Sequence, residues 1–283
     1  MSATALKARS ALAGNDLYQQ RGRRALPILV RQARAGVALT YARLADELEM
    51  PNVQNTNYVL GAAGRAVADH GMERGVRIPP LTAIVVNQGT GLPSDGVAEF
   101  LERPEEYLHA SPELKWRIVD RLYLEMAAFR GWEEMLQGMG VEPVESLLTD
   151  PRPVRGGGGE GEAHRHLKEY IAEHPDSVGL GRRARLVRTE APLSSGDEVD
   201  VLFTNGTNYI AIEVKTSEAG ISEIERGMYQ CVKYAAVLRA MQKAVPSTPS
   251  AEAWLALGGT LPMRLLALRN TLGITVLEEV GPA

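Results

Sequence analysis

A single cysteine, Cys231, is all the thiol chemistry available to this chain. That count excludes an intramolecular disulfide and any cysteine-rich zinc site, and a reducing, cytoplasmic home is the expectation. Long apolar runs are missing too. No stretch approaches the ~18 uninterrupted apolar residues of a membrane span, so no membrane partner is expected. The Ala- and Arg-rich start, Met1 to Leu26, lacks an apolar core followed by a cleavage site, and no signal peptide is expected. Aromatics make up only 5% of the chain, yet 45% hydrophobic residues over 283 positions leave enough apolar material for two compact cores. No internal repeat of 20–50 residues is present.

An excess of positive charge is also lacking, since the formal net charge is −4. Its distribution says more than its sum. Residues 1–80 carry a net +5, residues 81–150 a net −8 and residues 151–283 a net −1. The head is therefore basic and the middle acidic. The neutral tail holds a basic cluster at Arg182, Arg183, Arg185 and Arg188.

One boundary stands out, Asp150-Pro-Arg-Pro-Val-Arg-Gly-Gly-Gly-Gly-Glu160. Two prolines and four consecutive glycines cannot sit inside a helix or strand, so residues 151–160 read as a linker between domains 1–150 and 161–283. Upstream, helices are expected over 23–35, over 40–49 with Thr40 as N-cap, and over about 55–70. A short strand, Leu81 to Val86, follows Pro79 and Pro80, and residues 98–138 read as helical and amphipathic. Helix, turn, helix, then strand and loop is the order of a winged helix. Downstream the expected order is helix (about 161–173), strands (184–190, 198–204, 209–215), long helix (221–243), strand (252–257), helix (262–272) and strand (274–278). The fold class is thus α/β in two domains, a mostly helical winged-helix domain and a mixed-sheet core.

The chemistry concentrates in Asp197-Glu-Val-Asp-Val-Leu-Phe203, Thr204-Asn-Gly-Thr-Asn208 and Tyr209-Ile-Ala-Ile-Glu-Val-Lys215. Asn205-Gly206 marks a turn between two alternating segments. Val199, Val201 and Phe203 are expected to share one face, and Asp200 and Leu202 the other. On the returning strand Ile210, Ile212 and Val214 oppose Glu213 and Lys215. A four-residue loop, 205–208, sets Asp200 opposite Glu213, whereas a two-residue loop pairs Asp200 with Ala211. Either register leaves Asp200, Glu213 and Lys215 on one face, roughly 5–8 Å apart. Two carboxylates so close repel unless a cation lies between them, and oxygen ligands suit Mg2+, with Mn2+ able to substitute. A lysine beside them can hold an attacking water or stabilise charge developing on phosphate. Such a set suits phosphodiester hydrolysis. The competing reading is a solvated hairpin face on which Glu213 and Lys215 merely pair.

Asp200 followed by Glu213-Val-Lys215 on the next strand resembles the D…(D/E)xK signature of the PD-(D/E)xK, restriction-endonuclease-like, nuclease superfamily. The residue before Asp200 is Val199 where the motif's name has proline, a proline many members lack. The resemblance implies a restriction-endonuclease-like core over 161–283 and a further metal-ligating glutamate on the preceding helix. Gly161-Glu-Ala-His-Arg-His-Leu-Lys-Glu169 offers Glu162, with Glu169 on the same face as the alternative. Members often carry Gln or Tyr on the helix after the xK strand, a role that Gln230 and Tyr234 match as accessory residues. His164 and His166 read as solvated first-turn positions, with extra ligands or phosphate contacts as the alternative, and Cys231 as a buried structural thiol.

Thr40-Tyr-Ala-Arg-Leu-Ala45, Gly61-Ala-Ala-Gly-Arg-Ala66, Ile78-Pro-Pro-Leu-Thr-Ala-Ile-Val-Val-Asn87 and Thr90-Gly-Leu-Pro93 are similar to the winged-helix portion of alkylguanine-DNA alkyltransferases over roughly residues 35–97. That family's catalytic Pro-Cys-His-Arg has no counterpart here, so alkyl transfer is excluded and only DNA binding carries over. The resemblance puts Arg65, Asn55 and Asn57 in the groove of double-stranded DNA, and Arg21, Arg23 and Arg24 are candidate phosphate contacts. Arg65 has an equally weighted alternative as a structural arginine. Taken together these readings predict a Mg2+-dependent DNA endonuclease of restriction, modified-cytosine-dependent or other defence type. It is expected to work as a homodimer or higher homo-oligomer, because cutting both strands takes two centres. A structure-specific repair nuclease and a non-catalytic DNA-binding regulator are the alternatives.

Overall fold

The computed structural model describes residues 10–143, 161–181, 183–206, 208–243 and 250–282. The expected linker, 151–160, lies outside the described residues. Arg182 of the basic cluster does too. The chain divides into two compact units, Met1–Leu147 and Leu148–Ala283. Among the described residues no helix is long and apolar enough to cross a membrane.

The first unit is mainly helical, with α1 (Ser10–Ala13), α2 (Leu17–Ala35), β1 (Leu39–Thr40), α3 (Tyr41–Glu47), α4 (Thr56–Arg74), β2 (Val85–Val86), α5 (Pro104–Leu108), α6 (Pro112–Ala128) and α7 (Trp132–Gly138). Helix α2 starts at Leu17, six residues before the expected start, because Gln19 caps it by accepting from the Asp16 amide at 3.2 Å. Gly36, at φ 65°, ends it in the left-handed conformation. Thr40 caps α3 as expected, accepting from the Arg43 amide at 3.2 Å. The core gathers Leu26, Leu29, Leu39, Leu44, Leu48, Ile84, Tyr107 and Trp132. One ion pair is buried beside it. Arg31 of α2 grips Glu47 of α3 through two bonds, at 2.6 and 2.9 Å, with both side chains under a tenth exposed.

Two expectations change here. The strand expected over Leu81–Val86 is a 3-10 turn, Leu81–Ile84, followed by the two residues of β2, which pair in parallel with β1. Pro79 and Pro80 offer no amide for a ladder, and residues 81–86 are all buried, so the run never had the alternation of a two-faced strand. Residues 98–138 are not one helix. Pro104 and Pro112 each open a new helix at its first position, and Gly131 precedes the third.

The second unit runs α8 (Glu162–Glu173), β3 (Arg185–Pro192), β4 (Glu198–Thr204), β5 (Tyr209–Lys215), α9 (Ile221–Lys243), β6 (Ala251–Leu257), α10 (Leu266–Leu272) and β7 (Thr275–Leu277). The sheet order is β3-β4-β5-β6-β7, antiparallel up to β5 and parallel after it. Helix α9 returns the chain from β5 to its parallel neighbour β6, as a crossover must. Helix α8 packs Leu167 and Ile171 on one face, against Val201, Phe203, Ile210, Ile212 and Val214. On the other face α9 sets Ile224, Met228, Cys231 and Tyr234 against Leu202, Ala211 and Leu255. Covered on both sides, β5 is an almost continuous buried run.

The hairpin register settles the loop length. Thr204 pairs with Tyr209, Phe203 with Ile210, Leu202 with Ala211 and Val201 with Ile212, so the loop is the four residues 205–208. Thr204 Oγ1 and the Asn205 amide both donate to the Asn208 carbonyl, at 3.0 and 3.2 Å, and Gly206 takes φ 106°. Val199 departs from expectation. It packs with Leu202 and Ala211, not with Val201 and Phe203. The ladder with β5 stops at Val201, and beyond it the Asp200 carboxylate, not a β4 carbonyl, takes the Val214 amide at 2.7 Å. Freed from β5, Val199 packs on the α9 side.

Candidate active site

Where β4 and β5 part company, their side chains build a polar pocket in an otherwise apolar sheet. Asp200 Oδ2 accepts the Val214 amide in the gap. Continuing the register sets Glu213 opposite Asp200, and Glu213 is only 2% exposed. The Lys215 ammonium donates to Glu213 Oε1 and, at 3.2 Å, to the Val214 carbonyl. Burial first, and the Asp200 charge second, push the Glu213 carboxyl up to about 7 against the pull of Lys215. The structure thus brings Asp200, Glu213 and Lys215 together. Pairing within the Glu213–Lys215 couple is real, but it is buried and not part of a solvated face.

Helix α9 roofs the pocket. Its sheet-facing stripe runs Ile224, Gly227, Met228, Cys231, Tyr234 and Leu238, the spacing of one helical face. Tyr234 donates to the Glu198 carbonyl at 2.9 Å, accepts from Gln230 Nε2 at 3.2 Å, and also interacts with the Glu213 carboxyl. Burial, then the Glu213 and Asp200 charges, raise the phenol far above its ordinary range, so it stays a neutral donor. Gln230 Oε1 is buried with no hydrogen-bond partner among the described residues, an acceptor left open in a polar site. Both accessory residues expected from sequence therefore stand at the pocket. The Cys231 thiol, raised by burial and then by Glu213, is an inert buried sulfhydryl.

Gly227 sets how closely the roof sits. A Cβ there would lie 2.9 Å from Leu255 Cδ1, 3.2 Å from Lys215 Cε and 3.5 Å from Glu213 Cγ. A glycine inside an exposed helix gains roughly 1 kcal/mol on replacement by alanine. Here overpacking outweighs that gain, and Gly227→Val should lower the unfolding free energy by about 1–3 kcal/mol while displacing the lysine. Denaturant unfolding of the variant checks this. A Gly227→Val protein as stable as the parent would refute the close packing.

The helix before the hairpin contributes differently from expectation. Glu162 is 78% exposed in its side chain, with His166 at 3.8 Å as its ion partner, and Glu169 is exposed as well. Neither joins Asp200 and Glu213, and among the described residues no three His, Cys, Asp or Glu side chains are grouped to hold a metal. The residue that reaches the pocket is His164. Its Nε2 donates to the Val214 carbonyl at 3.1 Å and lies 3.5 Å from Asp200 Oδ2. Leu167 and Ile171 anchor α8 to the sheet, and His164 and Lys168 fall on that same stripe, whereas Glu162 and Glu169 fall on the opposite side. The amphipathic period carried this signal. Lys168 is buried and donates to Glu190 Oε1 at 2.7 Å. Glu190, which the register sets beside Asp200 on the far strand, adopts φ 50°, rare for a residue with a side chain.

In the first unit the expected DNA-contacting residues have varied surroundings. Asn55 and Asn57 are exposed at the start of α4. Arg65, half exposed, pairs with Glu99 at 3.2 Å, a tie from helix to following loop. Asn57 and Arg65 line a cavity of about 420 Å³ with Tyr41, Thr82 and Ser94, where the buried Thr82 hydroxyl has no hydrogen-bond partner among the described residues. Arg23 donates to the Leu12 and Gly14 carbonyls, clamping α1, and Arg24 pairs with Glu49 at 2.8 Å. Arg21 is partly buried. Set beside known proteins, the chain matches no family model, no curated protein and no solved structure.

Proposed function

We propose that the second unit is the catalytic part of a Mg2+-dependent DNA endonuclease with a restriction-endonuclease-like core, preceded by a winged-helix DNA-binding unit. The observation that carries this reading is the set Asp200, Glu213 and Lys215 at the parting of β4 and β5, with Glu213 buried under α9. The donor set fits a hard divalent cation. Burial, and then the Asp200 charge, raise the Glu213 carboxyl to about 7, and the Val214 carbonyl is a further oxygen donor beside it, with the open Gln230 Oε1 on the roofing helix. Asp200 and Glu213 are the residues that would hold Mg2+, or Mn2+ in its place. When bound, the ion supplies Lewis acidity and a more acidic water. Lys215 would orient an attacking water and stabilise charge growing on the phosphate, while His164 holds the Val214 carbonyl and Asp200 in place. Cutting both strands requires a homodimer, and the reading is of a cytoplasmic restriction or defence enzyme.

Digestion of methylated and unmethylated plasmid side by side, with Mg2+ and then with EDTA, tests the proposal. Discrete fragments that vanish with EDTA support it. The exposure of Glu162 favours one second reading, a non-catalytic DNA-binding regulator, for which binding without cleavage is the expected result.

The Glu213 carboxyl gives a pH signature. Its folded pKa, about 7, lies above the ordinary 4.5, so the metal-free fold gains from the bound proton below that window. This gain is lost as pH rises from about 4.5 through 7. Cation binding must expel the proton. Calorimetric titration with Mn2+ at pH 6, in buffers of different ionisation enthalpy, should therefore show close to one proton released, falling towards none at pH 8.5. Equal release at both pH values would remove Glu213 as the titrating ligand.

A further inference from the structure

Strand β3 forms one edge of the sheet, beside the strand that carries Asp200. Its first four residues, Arg185, Leu186, Val187 and Arg188, are all exposed. Neither arginine has an ion-pair or hydrogen-bond partner among the described residues, whereas Lys168, Lys215 and Lys233 each hold a carboxylate. In a regular strand, positions three apart point to opposite faces. Here they do not. Arg185 pairs with Thr204 and Leu186 with Phe203, but Arg188 pairs with Leu202, so Val187 is an extra residue and the register slips by one. Directly opposed residues share a face. Thr204 and Leu202 are two apart on β4, and Arg185 and Arg188 therefore both stand on the Leu202 face, the one that α9 packs against and on which Glu213 lies. A bulge that re-aims a side chain beside a catalytic centre is a recurring device.

We infer that the β3 bulge turns Arg185 and Arg188 into a two-point seat for the phosphate backbone of the DNA strand presented to Asp200. This inference rests on the nuclease reading and names the surface that delivers its substrate. Strand geometry sets the two cations about 7 Å apart along β3, against a nucleic-acid strand with one negative charge per ~3.4 Å of axis. Arg188 pairs with Leu202 of β4, two residues from Asp200 along that strand, and stands on the sheet face of Glu213. Arginine suits this task because its planar fork meets phosphate oxygens two at a time. Self-pairing of β3 edges between two copies is disfavoured on the same observations. It would oppose like charges, and both the bulge and the left-handed Glu190 interrupt the ladder it needs.

The test uses the full chain and a fluorescent 30-base-pair duplex in EDTA, with affinity followed by anisotropy across salt concentrations. Each phosphate contact contributes about 0.9 to the log–log salt slope. The double variant Arg185→Gln/Arg188→Gln should therefore weaken binding at least tenfold and flatten the slope by nearly two. Arg185→Lys/Arg188→Lys should keep most of the slope, and the exposed control Arg264→Gln all of it. An unchanged slope in the glutamine variant overturns the inference, and so does a change in its oligomeric state with DNA binding intact. Cleavage by the parent chain in Mg2+ is scored separately. If the parent cuts while the glutamine variant keeps its slope, only the seat falls. A flattened slope in a chain that never cuts keeps the seat and removes the nuclease. Failure of the parent to bind at all removes both.

Discussion

Lys215→Ala is expected to reduce plasmid cleavage by at least 10²–10³-fold, the usual cost of losing one group that stabilises transition-state charge, while duplex binding in EDTA persists. Lys215 bonds both Glu213 and the Val214 carbonyl, so its loss does two separable things. It removes the cation beside the phosphate, and it removes the charge that restrains the Glu213 carboxyl. Without that charge the carboxyl rises further, and divalent-ion affinity at pH 7 drops because a proton must first leave. Raising the pH to 9 should restore Mn2+ affinity in Lys215→Ala but not cleavage. Asp200→Asn works in the opposite sense on the same proton. It takes away a charge that pushes Glu213 up, and the amide oxygen still accepts the Val214 amide, so the fold stays and cleavage goes. Cleavage that survives either substitution would show that the chemistry lies elsewhere in the chain.

The largest effect on stability is expected in the first unit, at Arg31 and Glu47. Two bonds join them, at 2.6 and 2.9 Å, with side chains 9% and 7% exposed, so each charge has little water around it. Arg31→Ala removes two charge-assisted bonds from a largely enclosed glutamate, at a cost of about 3 kcal/mol. That is enough to lower the melting temperature of the first unit by roughly 10 °C or more. Joint replacement, Arg31→Met with Glu47→Leu, removes both desolvated charges and should come within about 1 kcal/mol of the parent or exceed it. Thermal unfolding followed by circular dichroism distinguishes the three proteins. Single variants as stable as the parent would show that water reaches the pair.

Much of the second unit was legible beforehand, and particular elements show why. The bounds of β4, β5 and α9 follow from a period-2 alternation, a turn at Asn205-Gly206 and a long period-3.6 stripe. These are local signals, and nothing in the surroundings opposes them. The first unit read less well. Leu81–Val86 is apolar throughout, so no period separates a strand from a buried 3-10 turn, and the prolines upstream tip it to the turn. Glu162 was a different kind of miss. Its identity suited a metal, but Leu167 and Ile171 had already committed that helix to turn His164 and Lys168 inward.

Cys231 is buried mid-helix against the sheet, where a structural thiol is expected to lie. By itself the sequence determined that Glu213 and Lys215 share a face and that a hairpin returns them towards Asp200, because side-chain parity along β5 and the turn at Asn205-Gly206 are local signals. Only the tertiary structure decided which register the hairpin takes, which side of α8 meets it, and that Arg185 and Arg188 align. Those three depend on how elements distant in the chain pack. A one-residue slip between strands, or a half-turn of a helix, changes every contact while leaving the local pattern of residues untouched.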